Sequence, residues 1–146
     1  MRLLLDTSVW VEHLRTHDLA KVLYDIRGKF VPWLDAITAA ELIAGCRSKR
    51  ERRVVDRLLD PFRSAGRLIA PEPADCDRAA RALSRLREQG TTLSGAAGAL
   101  LDAMIAAVAV RLGALLVTLN MKDFEKLGRT LPVTVESLDT FRARIR

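Results

Sequence analysis

The stretch "GALLDAMIAAVAVRLGALLVT", residues 98–118, decides how the rest of the chain is read. Its first part is an apolar segment of helical length that stops at Gly113, a residue type that closes helices readily. Its second part, "ALLVT" (114–118), is a short unbroken apolar run, the signature of a strand buried on both faces. A buried helix feeding directly into a buried strand predicts an α/β fold with a largely parallel sheet. The apolar segment is too short for a membrane span, which needs about 20 residues, and Asp102 interrupts it. That acid is the anomaly of the stretch. At helical spacing it shares a face with Gly98, Ala99, Ile105, Ala106 and Ala109, and none of these can pair with a carboxylate. An unpaired buried carboxylate costs several kcal/mol, so Asp102 must find a partner elsewhere: a distant arginine, a proton or a cation.

Outward from this stretch the same alternation repeats. "RLLL" (2–5) is a second fully apolar strand, ended by Asp6, and helical patterns follow over Ser8 to Leu14 and Leu19 to Ile26. "FVPWLDAI" (30–37) reads as a strand whose Pro32 suits its start or an edge. Thr38 opens a short helix ending near Gly45, with Glu41 completing a "TAAE" capping box. "SKRERRVVDRLLDPFR" (48–63) is amphipathic, "RLIA" (67–70) is a third strand, and "ADCDRAARALSRLREQ" (74–89) a further helix. "VTVESL" (133–138) is a last strand, 139–146 a basic tail, and its arginine-rich end, 142–146, reads as frayed. No repeat or linker interrupts the 146 residues, which fit one domain. The opening "MRLLLD" reaches an acid before a signal sequence could develop, and Cys46 and Cys76 lack nearby histidines. Both features point to reduced thiols and a cytoplasmic protein. The net charge of +6 favours a polyanionic partner.

In open α/β sheets the functional crevice lies beyond the carboxyl ends of the strands. Asp6 follows the first strand and Asp123 follows "LLVTLN", so two such similar central strands would bring Asp6 close to Thr118, Asn120 and Asp123. Each acid except Asp102 also has a local use: Asp6 and Asp123 as caps, Glu41 in its capping box.

Taken together and in order, "DTSVWVE", "TAAELIAG", "LLDAMIAAVA" and "VTLNMKDFEKL" closely resemble the motifs of PIN-domain nucleases, especially VapC-type toxins of bacterial toxin–antitoxin pairs. The likeness covers roughly residues 2–138. It implies a three-layer α/β/α domain around a mostly parallel sheet of four to five strands. It implies one acidic pocket formed by Asp6, Glu41, Asp102 and Asp123, supported by Thr7 or Ser8, Thr118 and Asn120. It further implies Mg²⁺ or Mn²⁺ held by these acids, endonucleolytic hydrolysis of RNA, a cognate antitoxin that can place an arginine in the pocket, and a homodimer. Hard carboxylate oxygens suit those ions, and four close carboxylates need cations to stay ionised. One departure is "AAGALL" (96–101), where many relatives have a further acid.

Arg50 and Arg53 on one helix and Arg78 and Arg81 on another are candidate contacts to the RNA backbone, against the alternative of solvated faces balanced by Glu51, Asp56 and Asp60. His13 and His17 form an HxxxH pair without the glutamate of a zinc "HExxH", and surface histidines are the simpler reading. A haloacid-dehalogenase-like phosphatase would need an acid at position 8, which is Ser. The remaining competitor is a catalytically silent PIN-like module that binds RNA or protein.

Overall fold

Leu3, Leu4 and Leu5 in the first strand and Leu115, Leu116 and Val117 in the fourth are all buried, as two neighbouring strands at the centre of a covered sheet must be. The computed structural model describes residues 1–16, 21, 24, 26 and 28–145. The helical pattern expected over Leu19 to Ile26 falls mostly outside these, as does His17. Five strands are described: β1 (Arg2–Leu5), β2 (Val31–Asp35), β3 (Leu68–Ile69), β4 (Ala114–Thr118) and β5 (Thr134–Ser137). Between and after them run α1 (Thr7–Thr16), α2 (Ala36–Ala44), α3 (Lys49–Ser64), α4 (Pro73–Glu88), α5 (Ala96–Leu112), α6 (Met121–Leu127) and α7 (Leu138–Ile145). The strand order is β3-β2-β1-β4-β5, and every pairing is parallel.

Strand alternation divides the core into two layers. Leu3, Leu5, Leu115 and Val117 face α1, α2, α3 and α7, where Trp10, Leu59 and Phe141 are fully buried. Leu4 and Leu116 face α4, α5 and α6. Ala103, Ala106, Ala107 and Ala109 are buried in α5, and their small side chains let that helix lie close against the sheet and α4. Gly113 ends α5 at φ 60°, in the left-handed region where only glycine is free of strain. No described helix is long and apolar enough to cross a membrane.

Of three expectations, two are overturned and one is met. First, α2 begins at Ala36 with Asp35 as its cap, the Asp35 Oδ1 accepting the Ile37 N–H at 2.7 Å. Thr38 is therefore not the cap but a buried residue of the first turn, and no capping box occupies Glu41. Second, β2 is an interior strand, and of the two places expected for Pro32 it takes the start, as the second residue of β2. It faces Leu3 of β1, while the two-residue β3 pairs only at Leu34 and Asp35 and leaves the proline without a neighbour on that side. Third, the described part of the basic tail is helical, not frayed, through Ile145. Leu138, Phe141 and Ile145 bury one stripe of α7 against the sheet, while Arg144 pairs with Glu136 at 2.6 Å and lies over the rings of Phe30 and Phe141.

The chain moves outward from β1 through β2 to β3, then returns to the other side of β1 for β4 and β5. The order thus reverses between β1 and β4, and the crevice of such a sheet opens beyond their carboxyl ends. Asp6 and Thr118 stand at those two ends.

Candidate active site

Asp6 is tied to the neighbouring strand by its backbone N–H, which donates to the Val117 carbonyl at 2.9 Å. Its side chain is buried and its Oδ2 accepts from two hydroxyls, Ser8 Oγ at 2.5 Å and Thr118 Oγ1 at 2.9 Å. Each hydroxyl is aimed by the turn after β4: Leu119 N–H donates to Ser8 Oγ at 3.1 Å and Asn120 N–H to Thr118 Oγ1 at 2.8 Å. Each hydroxyl accepts from one backbone amide and gives its only proton to the Asp6 carboxylate, which can only accept. This double relay fixes one carboxylate oxygen without a cation.

Thr7 serves a different acid. Its hydroxyl donates to Glu41 Oε2 and lies 3.2 Å from the hydroxyl of the buried Thr38. Of Thr7 and Ser8, Ser8 contacts the first acid and Thr7 the second. Glu41 can be held this way because Asp35, not Thr38, caps α2.

Asn120 joins the other two acids, its Nδ2 standing 3.2 Å from Asp123 Oδ2 and 3.5 Å from Asp102 Oδ2. Asp123 also accepts from the Ser94 backbone and hydroxyl, at 3.3 and 3.4 Å, and faces Lys126 Nζ at 3.4 Å. Ser94 and Lys126 were not singled out in the sequence. Lys126 had a signal, an i, i+3 relation to Asp123 on α6, whereas Ser94 reaches Asp123 across 29 positions through the loop before α5.

The electrostatics separate these acids. Asp102 is pushed up to about 7, first by burial and then by the charges of Asp6, Glu41 and Asp123, with the Asn120 hydrogen bond pulling the other way. Burial also pushes Asp123 up, but the hydrogen bonds from Asn120, Ser94 and Lys126 outweigh it and hold that carboxyl below its ordinary value. Among the described residues no arginine pairs with Asp102. Arg111, on the same helix, is committed to Asp75 at 2.7 Å and to Glu72 at 3.1 Å. The four acids thus lie within electrostatic reach of one another. Among the described residues, no three His, Cys, Asp or Glu side chains close into a ready ion cage. The donor set is nevertheless that of a hard divalent cation: carboxylate oxygens, three of which raise the proton affinity of the fourth.

Glu41 also lines a cleft of about 560 Å³ between α1, α2 and α3, whose walls include Val11, Leu14, Leu42 and Val54, with Arg15 and Arg50 at its edges. The RNA candidates fall on opposite layers. Arg50 and Arg53 are exposed on α3, while on α4 Arg78 stands 3.6 Å from Asp75 and Arg81 pairs with Asp77 at 2.8 Å.

A parallel five-stranded sheet with four carboxylates at its reversal point is the architecture of a PIN domain. The family model for the PIN domain matches residues 3–129, and the chain belongs to that family. Among solved structures it is similar to VapBC-1 from nontypeable Haemophilus influenzae, at 21% identity and a TM-score of 0.73, covering 94% of this chain and 98% of that one. It is similar to VapBC2 from Rickettsia felis bound to a DNA fragment from their promoter, at 21% identity and a TM-score of 0.75, covering 95% and 100%. FitAcB from Neisseria gonorrhoeae matches at 26% identity and a TM-score of 0.65, covering 92% and 96%. A comparison with curated proteins finds no match.

Proposed function

We propose that this chain is the toxin of a type II toxin–antitoxin module, a divalent-metal-dependent endoribonuclease acting in the cytoplasm. One observation carries the reading: Asp102 sits in the middle of an apolar helix, faces three other acids and, among the described residues, has no cationic side chain to neutralise it. Such a group is kept at a cost in stability, which a catalytic site explains and a packing role does not.

Asp6, Glu41, Asp102 and Asp123 would hold Mg²⁺ or Mn²⁺. Bound there, the ion would supply Lewis acidity toward a phosphodiester and lower the pKa of a coordinated water. Ser8 and Thr118 fix one oxygen of Asp6 and leave the other to the pocket. Thr7 orients Glu41, and Asn120 sets the spacing of Asp102 and Asp123. Lys126 adds to the hydrogen bonds of Asn120 and Ser94 that hold Asp123 down, and can meet the phosphate of a substrate. RNA as the substrate, an antitoxin as the partner and a homodimer are supported by the motif resemblance. The named VapBC complexes support the antitoxin, and the apolar cleft opening at Glu41 offers an antitoxin segment a seat.

The test is cleavage of RNA by the purified chain with Mg²⁺ or Mn²⁺, with EDTA, and after Asp102→Asn. Metal-dependent cleavage lost in the variant is the expected result. Cleavage indifferent to EDTA and to the substitution would overturn the mechanism. RNA binding with no cleavage under any condition would favour the silent binding module.

A further inference from the structure

The arginines of α3 are not equivalent. Arg52 holds Asp56 at 3.2 Å, and Arg63 holds Asp60 at 3.1 Å while also reaching Asp56. The Glu51 carboxylate accepts the Arg47 N–H at 2.6 Å at the start of the helix. Every acid of α3 is thereby engaged, and Arg50, Arg53 and Arg57 have no carboxylate partner among the described residues. They stand at i, i+3 and i+7, a single exposed stripe about 10 Å long on the helix axis. Like charges at this spacing repel, so the stripe works against the helix unless an anion sits on it.

The surroundings say which anion. The three arginines line one surface depression of about 510 Å³, and its fourth wall is Asp56, already bound to Arg52 and Arg63. No apolar side chain lines it, so it lacks the anchors by which peptide segments dock. Regularly spaced guanidinium forks suit successive phosphates, which need charge and geometry rather than an apolar seat. The stripe is also continuous with the acidic site, because Arg50 and Glu41 border the same cleft. The α4 arginines share none of this: Arg81 is paired with Asp77, and α4 covers the other face of the sheet.

We propose that Arg50, Arg53 and Arg57 form a phosphate track that binds the backbone of a single RNA strand leading away from the acidic site. The proposal rests on the ribonuclease reading for its choice of RNA, and its test uses binding alone. The full-length chain carrying Asp102→Asn, in EDTA, is titrated against a mixed-sequence single-stranded RNA of about 20 nucleotides with a fluorescent end label, long enough to cover several phosphate contacts. Binding is read across a series of KCl concentrations, with and without R50Q/R53Q/R57Q. Each phosphate contact on a single strand contributes about 0.7 to the slope of log affinity against log salt, so three lost contacts should flatten it by about 2. Affinity at low salt should fall by about tenfold or more in the same variant.

Glutamine sustains helices well, and an unchanged thermal melt shows the variant folded. Arg81→Gln with Arg85→Gln on α4 should leave the slope unaltered. An unchanged slope in the α3 variant, or an equal loss in the α4 variant, would overturn the track. So would poly-glutamate binding that needs the three arginines while RNA binding does not, which would make the stripe a protein-docking surface. A chain that never cleaves RNA but loses the slope on substitution would keep the track and lose the nuclease. An active nuclease with an unchanged slope would do the reverse.

Discussion

Replacing Asp102 by Asn should stabilise the cation-free protein at alkaline pH. The carboxyl is displaced from 3.8 to about 7, roughly 3 units at about 1.4 kcal/mol each. Asp102 is only partly buried, so solvent screens some of this, and about 2–3 kcal/mol is the expected penalty for ionising it in the folded chain. The direction follows from proton binding. The folded state holds this proton more tightly than the unfolded state, so the contribution to stability is fully present below about pH 4 and is lost as pH rises through 7. Asn at the same position never ionises. At pH 8 in EDTA the variant should therefore melt about 5–10 °C above the parent, at 2–4 °C per kcal/mol for a chain of this size. At pH 4 the difference should vanish. Millimolar Mn²⁺ at pH 8 should then raise the parent, by about 2.7 kcal/mol if the ion stands at a hundred times its Kd, and leave the variant nearly unmoved. Scanning calorimetry over pH 4–8 with and without Mn²⁺ reads all of this. A variant less stable than the parent in EDTA at pH 8, or an equal rise of both with Mn²⁺, would refute the idea that uncompensated charge defines this position.

Asp35 offers a parallel case away from the pocket. Burial pushes its carboxyl up to about 6; the N–H groups of Ile37 and Thr38 pull it down, and Asp75 and Arg111 act in opposite directions after them. Asp35→Asn keeps the helix cap and places an NH₂ donor where Oδ2 has no partner, so urea melts should show a gain of about 2–3 kcal/mol at pH 8 that disappears near pH 4. Gly113→Ala meets no atom within 4 Å, so its cost is backbone strain alone, about 1 kcal/mol, seen as a Tm lower by about 2–4 °C with RNA cleavage rates unchanged.

Much of the fold could be read from residues because the central strands are apolar on both faces and each ends abruptly, β1 at Asp6 and β4 before the "LNMKD" turn. The adjacency of β1 and β4 followed from that likeness, and the structure pairs Leu4 with Leu116 and Leu5 with Val117. What could not be read was decided by tertiary competition. Asp35 and Thr38 are both good caps three residues apart, and local sequence favoured Thr38 because Glu41 completes a box with it. Asp35 wins because β2 ends there, and Thr38 is then drawn inward to Thr7. The apolar stripe of α7 was present as Leu138, Phe141 and Ile145, but the three arginines interleaved with it hid it. The reach of Ser94 to Asp123, and of Arg111 to Asp75 across 36 positions, has no local signature at all.

Asp35 and Asp102 together show why one buried acid announces a site and the other does not. Both are pushed toward neutrality mainly by burial. Asp35 stands at a helix start, where its oxygen satisfies a backbone N–H, so fold architecture accounts for it even though a neutral Asn would serve as well. Asp102 stands seven residues into α5, where every backbone N–H already has a helical partner and no orphan donor remains to be capped. Its one hydrogen-bond partner among the described residues is the Asn120 amide at 3.5 Å, shared with a second carboxylate. Nothing in helix formation, capping or packing requires a charge at that position, and three further acids oppose it. A carboxylate that the fold does not need, and that its neighbours resist, is what the proposed function calls for, in which a positively charged species is met by the four acids together.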